Sequence, residues 1–255
     1  MCDNIGTIEI GKNEATVDLA GLAADKVKFL RIYSRNKKAN LDFLSKYSNV
    51  ETLFINGEIG DVDGISELKQ LTDLKMILSA NVDLFKLCVP ALKSLSVYNQ
   101  INTGFSSLMT DKIEYLEIMQ MRRLSDLSFL ENAVGLKKLY LMSLPAVEKL
   151  PDFSKLPNLF ALKIYELHKL NDIESLTHSS IRFLSCSLSA DKLSGTRIAR
   201  VLLKMEKLEK ADMAFLDRSN MRRSNALEKQ MATAGKEELL NENFDFDQWK
   251  RLKEI

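Results

Sequence analysis

A chain of 255 residues that is 45% hydrophobic and 28% charged sits in the ordinary range of folded proteins and outside that of disordered ones. Thirty-six basic residues against 35 acidic ones leave a formal net charge of +1, so bulk charge draws the chain neither to nucleic acid nor to an anionic membrane. Cys2, Cys88 and Cys186 are odd in number and far apart, which suggests neither a disulfide framework nor a zinc site.

In chain order, the first twenty residues scatter Asp3, Glu9, Lys12, Glu14 and Asp18 among small apolar residues, without the basic start and apolar run of a secretory signal. No segment reaches transmembrane length. A reducing cytoplasm, with no membrane partner, is the expected compartment. From Ile5 onward the pattern apolar-x-x-apolar-x-apolar recurs, beginning at Ile5, Val27, Val50, Leu71, Leu92, Ile113, Leu136, Leu159, Ile181 and Leu208. The gaps are 22, 23, 21, 21, 21, 23, 23, 22 and 27 residues, and no position that the pattern defines is polar. Leu136-Lys137-Lys138-Leu139-Tyr140-Leu141 and Leu159-Phe160-Ala161-Leu162-Lys163-Ile164 show the unit most clearly.

These residues resemble the leucine-rich-repeat family, whose units begin with a short strand written L-x-x-L-x-L. The lengths are similar to its short class of repeats near 22 residues, and the compact chain is similar to stand-alone bacterial members. The resemblance implies an α/β solenoid with a curved parallel sheet on its concave face and irregular or 3₁₀ segments on its convex side. One continuous domain is expected, with a capping repeat at 1–26, repeats over 27–216 and a C-terminal cap at 217–255. The sequence departs from the family at the ninth repeat position, where Asn or Cys is usual. Only Asn13 matches, the others being Arg35, Glu58, Ser79, Gln100, Met121, Leu144, Leu167, Ser189 and Leu216, so the turn carbonyls must find other donors.

On the outer side, apolar residues recur every three from the sixth turn: Met121, Leu124, Leu127 and Leu130, then Leu144, Val147, Leu150, Phe153 and Leu156, then Leu167, Leu170, Ile173 and Leu176. That period predicts extended or 3₁₀ segments. Ile198, Val201, Leu202, Met205 and Leu208, then Leu227 and Met231, change to helical spacing and predict α-helices on the last turns. Leu239, Leu240, Phe244, Phe246, Trp249, Leu252 and Ile255 alternate with charges and suit a cap over the end of the stack.

Side chains alternate along a strand, so if the first, fourth and sixth positions point inward, the third, fifth and seventh line the concave face. Five of the six tyrosines fall in those columns, Tyr47 being the exception. The candidate partner-binding residues are Tyr33, Phe54, Ile77, Tyr98, Tyr115, Met119, Tyr140, Met142, Lys163 and Tyr165. Tyr98, Met119, Met142 and Tyr165 are expected to form a strip, with Tyr140 and Tyr165 as exposed contact residues. Cross-strand stacking accounts for the same rings without a partner. Arg31, Lys75, Lys138 and Lys163 interleave with Glu9, Asp73, Glu117 and Asp212, a mixed-sign pattern that suits a folded protein better than a polyphosphate.

No catalytic, metal or cofactor constellation stands out. His168 and His178 read as turn residues, Cys186 as core, and the glycines, including Gly57, Gly60 and Gly64, match no phosphate loop. Arg218, Arg222 and Arg223 read as a solvated cluster. The expected function is a protein-interaction module, monomeric, without cofactor, and not an enzyme, with an immunity or inhibitor role as the narrower form. A regulatory scaffold that targets an enzyme such as a phosphatase is the alternative, ahead of an enzyme or a structural spacer.

Overall fold

The computed structural model describes residues 5–12, 23–79, 82–99, 104–189, 192–216 and 220–240. The chain divides into two compact units, Met1–Arg123 and Leu124–Ile255. In the first, β1 (Ile5–Ile10), β2 (Phe29–Arg35), β3 (Thr52–Glu58), β4 (Asp73–Leu78), β5 (Ser94–Tyr98) and β6 (Tyr115–Met119) pair in parallel, each with the next. In the second, β7 (Lys138–Met142), β8 (Ala161–Tyr165), β9 (Phe183–Leu188) and β10 (Lys210–Phe215) do the same. Neighbouring parallel strands need a crossover of a dozen or more residues, and the repeat length supplies it.

The apolar columns read from the sequence face the core. Leu30, Ile32, Leu53, Ile55, Leu116, Ile118, Leu139, Leu141 and Leu162 are all fully buried. Each such side chain contributes about 1.5–3 kcal/mol when removed from water. Two ends of the pattern depart from expectation. Ile5 is 50% exposed, because β1 pairs Ile8 with Ile32 and Ile10 with Ser34. The first spacing is therefore 24 residues, not 22, and Gly6 takes the inward place beside Leu30. A slip of two keeps Thr7, Ile8, Glu9 and Ile10 on their expected faces, and of the patterned residues of β1 only Ile5 leaves the core. At the other end, Met213 on β10 is only half-buried.

The ninth position has a backbone explanation. Asn99, Gln120, Ser143 and Glu166, each directly after its strand, have φ of 61, 58, 52 and 55°, and Gly57 has φ of 119°. A left-handed residue at the eighth position turns the chain inward, so the ninth residues Met121, Leu144 and Leu167 become core. Where the strand stays extended, as at Ser34, Leu78 and Leu188, the eighth residue is buried and Arg35, Ser79 and Ser189 lie outside the core.

The outer segments are 3₁₀ turns at Asp42–Lys46, Asp63–Glu67, Gly104–Leu108, Ser128–Asn132, Phe153–Lys155 and Glu174–His178. Most are preceded by a side-chain carbonyl or carboxylate that accepts the N–H two residues on. Asp61 accepts from Asp63 at 2.7 Å, Asp126 from Ser128 at 2.9 Å, Asp152 from Ser154 at 3.1 Å and Asp172 from Glu174 at 3.0 Å, and Asp83, in the turn between β4 and β5 that has no 3₁₀ segment, accepts from Phe85 at 3.0 Å in the same way. Asn40 holds the same place at 3.4 Å from Asp42. An Asx turn thus starts the outer segments and absorbs amides that would otherwise lack partners. Some turn carbonyls are met by neighbouring repeats, Asn49 Nδ2 donating to Asp25 O at 2.7 Å and Asn158 Nδ2 to Val134 O at 2.9 Å.

Two carboxyls of this column, those of Asp126 and Asp152, titrate below their ordinary value. The backbone N–H of Ser128, then its hydroxyl, hold the Asp126 carboxyl below its ordinary value of 3.8, and at Asp152 the Ser154 hydroxyl leads and its N–H follows. Lowered folded-state values add stability that is complete above 3.8 and lost as pH falls through the folded pKa. The double variant Asp126→Asn, Asp152→Asn keeps an acceptor oxygen at each turn and removes the titration. Its melting temperature is expected to fall less steeply than that of the parent between about pH 4 and 2, and identical acid limbs would refute the assignment.

Among the described residues the two α-helices both lie in the second unit, as the helical spacing predicts. The first, α1 (Gly195–Leu202), opens with the Ser194 hydroxyl accepting the Arg197 N–H and buries Ile198, Val201 and Leu202. The second, α2 (Asn220–Thr233), buries Leu227 and Met231 and packs on α1. Leu239 and Leu240 are half-buried, and Leu240 forms a parallel bridge with Ala211 of β10. Phe244, Phe246, Trp249, Leu252 and Ile255 lie outside the described residues, as does Arg218. Arg223 corrects the reading of a solvated cluster. It is 5% exposed, its Nε and Nη2 donate to Leu193 O at 3.0 and 2.6 Å, and its guanidinium lies 4.3 Å from the Phe215 ring centre. Among the described residues no helix is long and apolar enough to cross a membrane.

Candidate functional site

The strand face away from the core carries the third, fifth and seventh columns, and the pairing register lines them up strand by strand within each unit. In the first unit Tyr33 is 38% exposed and meets Phe54 edge-on, with ring centres 5.8 Å apart at 74°. The Arg31 guanidinium lies 4.7 Å from the Phe29 ring centre, and Lys75 Nζ lies 5.1 Å from that of Tyr98. Ile77 is half-buried beside Tyr98. Each cation over a ring shields apolar surface while keeping its charge at the face.

Glu117, at the centre of β6, is 3% exposed. Tyr98 donates its hydroxyl to Glu117 Oε2 at 3.2 Å, and Tyr115 donates to Oε1. A carboxylate out of water requires such donors, so these two tyrosines stabilise the charge as well as cover it. The sequence placed Glu117 only among interleaved charges. The signal available was Tyr115 two residues before it on the same face and Tyr98 on the adjacent strand.

In the second unit Lys163 Nζ lies 5.1 Å from the Tyr140 ring centre, and the Tyr140 hydroxyl donates to Met142 Sδ at 3.2 Å. Tyr140 is therefore 9% exposed, not the free contact residue expected of it. Met119, paired with Tyr98 in the first unit, is 8% exposed for a related reason, large neighbours on one face covering one another. Met142, Lys163 and Tyr165 are half-buried and reach solvent. Of the expected strip, Tyr98 and Met119 belong to the first unit and Met142 and Tyr165 to the second. Ser185 Oγ donates to Asp212 Oδ2 at 3.1 Å, and Lys210 Nζ to Glu238 O at 3.0 Å.

The side chains weighed for chemistry are placed as follows. His168 and His178 are exposed in turns, His168 Nδ1 lying against Ser189 Oγ. Cys186 is buried, and burial, with a smaller contribution from Asp212, pushes its thiol far above its ordinary value, which removes it as a nucleophile. Cys88 is an exposed free thiol. Among the described residues, no three His, Cys, Asp or Glu side chains are placed to hold a metal ion.

No protein-family model matches the chain, and no curated protein matches it. Solved structures do. Internalin C2 from Listeria monocytogenes aligns with 14% identity over 75% of this chain and 82% of its own, with a TM-score of 0.51. The leucine-rich repeat domain of the type III effector XopL aligns with 11% identity over 85% of this chain and 77% of its own, with a TM-score of 0.53. Likeness at these identities is a likeness of fold.

Proposed function

We propose that this chain, which has the leucine-rich-repeat fold, is a protein-interaction module that docks a protein partner on its open strand face. The observation that carries the reading is the concentration of aromatic, methionine and cationic side chains in three columns that the core does not use, with Tyr33, Phe54, Tyr98, Met142, Lys163 and Tyr165 all reaching solvent. Tyrosine, methionine and arginine are the side chains enriched at interfaces, and tyrosine binds with little loss of conformational freedom. The narrower form of the proposal is an immunity or inhibitor protein that covers the active surface of a toxin or enzyme. The exposed thiol of Cys88 supports a reducing compartment such as the cytoplasm.

Affinity purification with cross-linking mass spectrometry tests the reading, because it reports where a partner sits as well as that it binds. Cross-links are expected from the strand face, and links confined to the outer turns would overturn the proposal. Tyr33→Ala and Tyr165→Ala are the variants of choice, Tyr140 being too buried to separate binding from stability. At least one is expected to weaken the captured complex by roughly 30-fold, about 2 kcal/mol. The melting temperature of each variant should stay within about 3 °C of the parent.

A further inference from the structure

We propose that the strand face of the first unit takes a segment of a protein partner in which an aromatic side chain is flanked by carboxylates, the ring seated on Phe54 and the carboxylates on Arg31 and Lys75. This deepens the docking-face reading and rests on it. The register places Arg31 on β2, Phe54 on β3 and Lys75 on β4 side by side in the middle column, so one half-buried ring lies between two half-buried cations.

Among the described residues neither cation meets a carboxylate within ion-pair distance, and each lies over a ring instead. Arg31 takes Phe29, in the first column of its own strand, and Lys75 takes Tyr98, in the third column of β5. The two cations thus lean away from Phe54 in different directions, and the ring that meets Phe54 is Tyr33, edge-on at 5.8 Å. A ring face orients a cation while leaving its formal charge to act on what approaches. Asn56, between Tyr33 and Ile77 in the third column, is half-buried, and its side-chain amide has no hydrogen bond among the described residues. It offers donors and an acceptor to the backbone of a segment laid across the face.

Strands about 4.8 Å apart put β2 and β4 roughly 10 Å from one another, and side chains that lean outward widen the span between their charges. In an extended segment crossing those strands, residues i, i+2 and i+4 share a face, and the first and last lie about 13 Å apart. An acidic, an aromatic and a second acidic residue in that alternation meet Arg31, Phe54 and Lys75 in turn, charge against charge and ring against ring. The acidic side chains of the same face stand apart from this row of three. Glu9 is exposed in the third column of β1, Asp73 accepts the Thr72 hydroxyl at 2.9 Å in the first column of β4, and Glu117 is 3% exposed. A single-stranded nucleic acid also combines negative charge with stacking bases, but its continuous charge would run on past Arg31 and Lys75 to meet these acids. A peptide can carry neutral or basic residues there.

The test uses the full chain and dye-labelled probes in fluorescence anisotropy. The first probe is a peptide of repeated Glu-Ser-Phe-Ser units, whose acidic and aromatic side chains alternate on one face when extended; the others are its counterparts with Lys for Glu and with Ala for Phe, and an oligothymidylate. The first is expected to bind best, and to bind at least about tenfold more weakly to the double variant Arg31→Glu, Lys75→Glu. Arg31→Gln, Lys75→Gln should give an intermediate loss, and should the charge reversal alter the circular dichroism, the Gln variant carries the same comparison. Phe54→Ala should weaken the phenylalanine probe and leave the alanine probe as it was. Equal binding of the lysine probe, tighter binding of the oligothymidylate, no binding of the first probe, or indifference to loss of both cations would each overturn the inference. Failure here and failure of the docking-face reading are separable. A partner that cross-links to the strand face yet tolerates Arg31→Gln, Lys75→Gln removes only this inference, while a partner cross-linked to the outer turns alone removes both.

Discussion

Gly57→Ala is expected to destabilise the first unit by on the order of 3 kcal/mol or more, because it combines backbone strain with a backbone clash. Gly57 has φ of 119°, a conformation that side chains rarely adopt. A Cβ there would stand 2.0 Å from Ser34 O and 3.0 Å from Ser34 C, atoms of the adjacent strand that cannot swing aside as a side-chain tip could. Relief requires β2 and β3 to separate where Ser34 pairs with Gly57, at the strand ends that aim Tyr33 and Asn56. The melting temperature should fall by about 10 °C, and hydrogen exchange should show the loss in β2 and β3 first. A loss below about 1 kcal/mol would mean that the turn after β3 adopts another conformation in solution.

The same glycine shows what could and could not be read from the sequence. The inward columns were legible because burying a strand face demands apolar residues at fixed spacing, and Leu30, Leu53, Leu116, Leu139 and Leu162 obey it. The register of β1 was not. Ile5, Ile8 and Ile10 satisfy the same spacing by coincidence, while the inward residue beside Leu30 is Gly6, which no hydrophobic pattern marks. The ninth column looked anomalous because sequence spacing carries no φ. A left-handed residue at position eight changes which neighbour turns inward, and so apolar Met121, Leu144 and Leu167 are core where a polar ladder was sought.

The compensating device was present in the letters. Asp61-Val62, Asp83-Leu84, Asp126-Leu127, Asp152-Phe153 and Asp172-Ile173 repeat an acidic residue before a buried one, and each carboxylate accepts the N–H two residues on. On the open face, residue type was legible and exposure was not. Which of two neighbouring large side chains covers the other is set by rotamers, as at Tyr140 under Lys163.

Gly195→Ala is expected to undock α2, with a loss on the order of 3 kcal/mol confined at first to the C-terminal part of the second unit. A Cβ on Gly195 would lie 2.1 Å from Arg223 O and 2.8 Å from Leu227 N, so the two helix backbones must part. Parting exposes Leu227 and Met231, which are 2% and 0% exposed, and pulls the Arg223 guanidinium from Leu193 O and the Phe215 ring. Arginine removed from both contacts leaves a buried carbonyl unpaired, which adds to the lost apolar burial. Amides of α2 should lose protection from hydrogen exchange while those of β7 and β8 keep theirs. Gly235→Ala is the matched control. Its φ of 64° strains any side chain, but a Cβ there meets nothing within 4 Å, so a cost of about 1 kcal/mol without undocking is expected. If Gly195→Ala leaves α2 as protected as Gly235→Ala does, α2 is not held on α1 in the way described, and the cap over β10 must rest on other contacts.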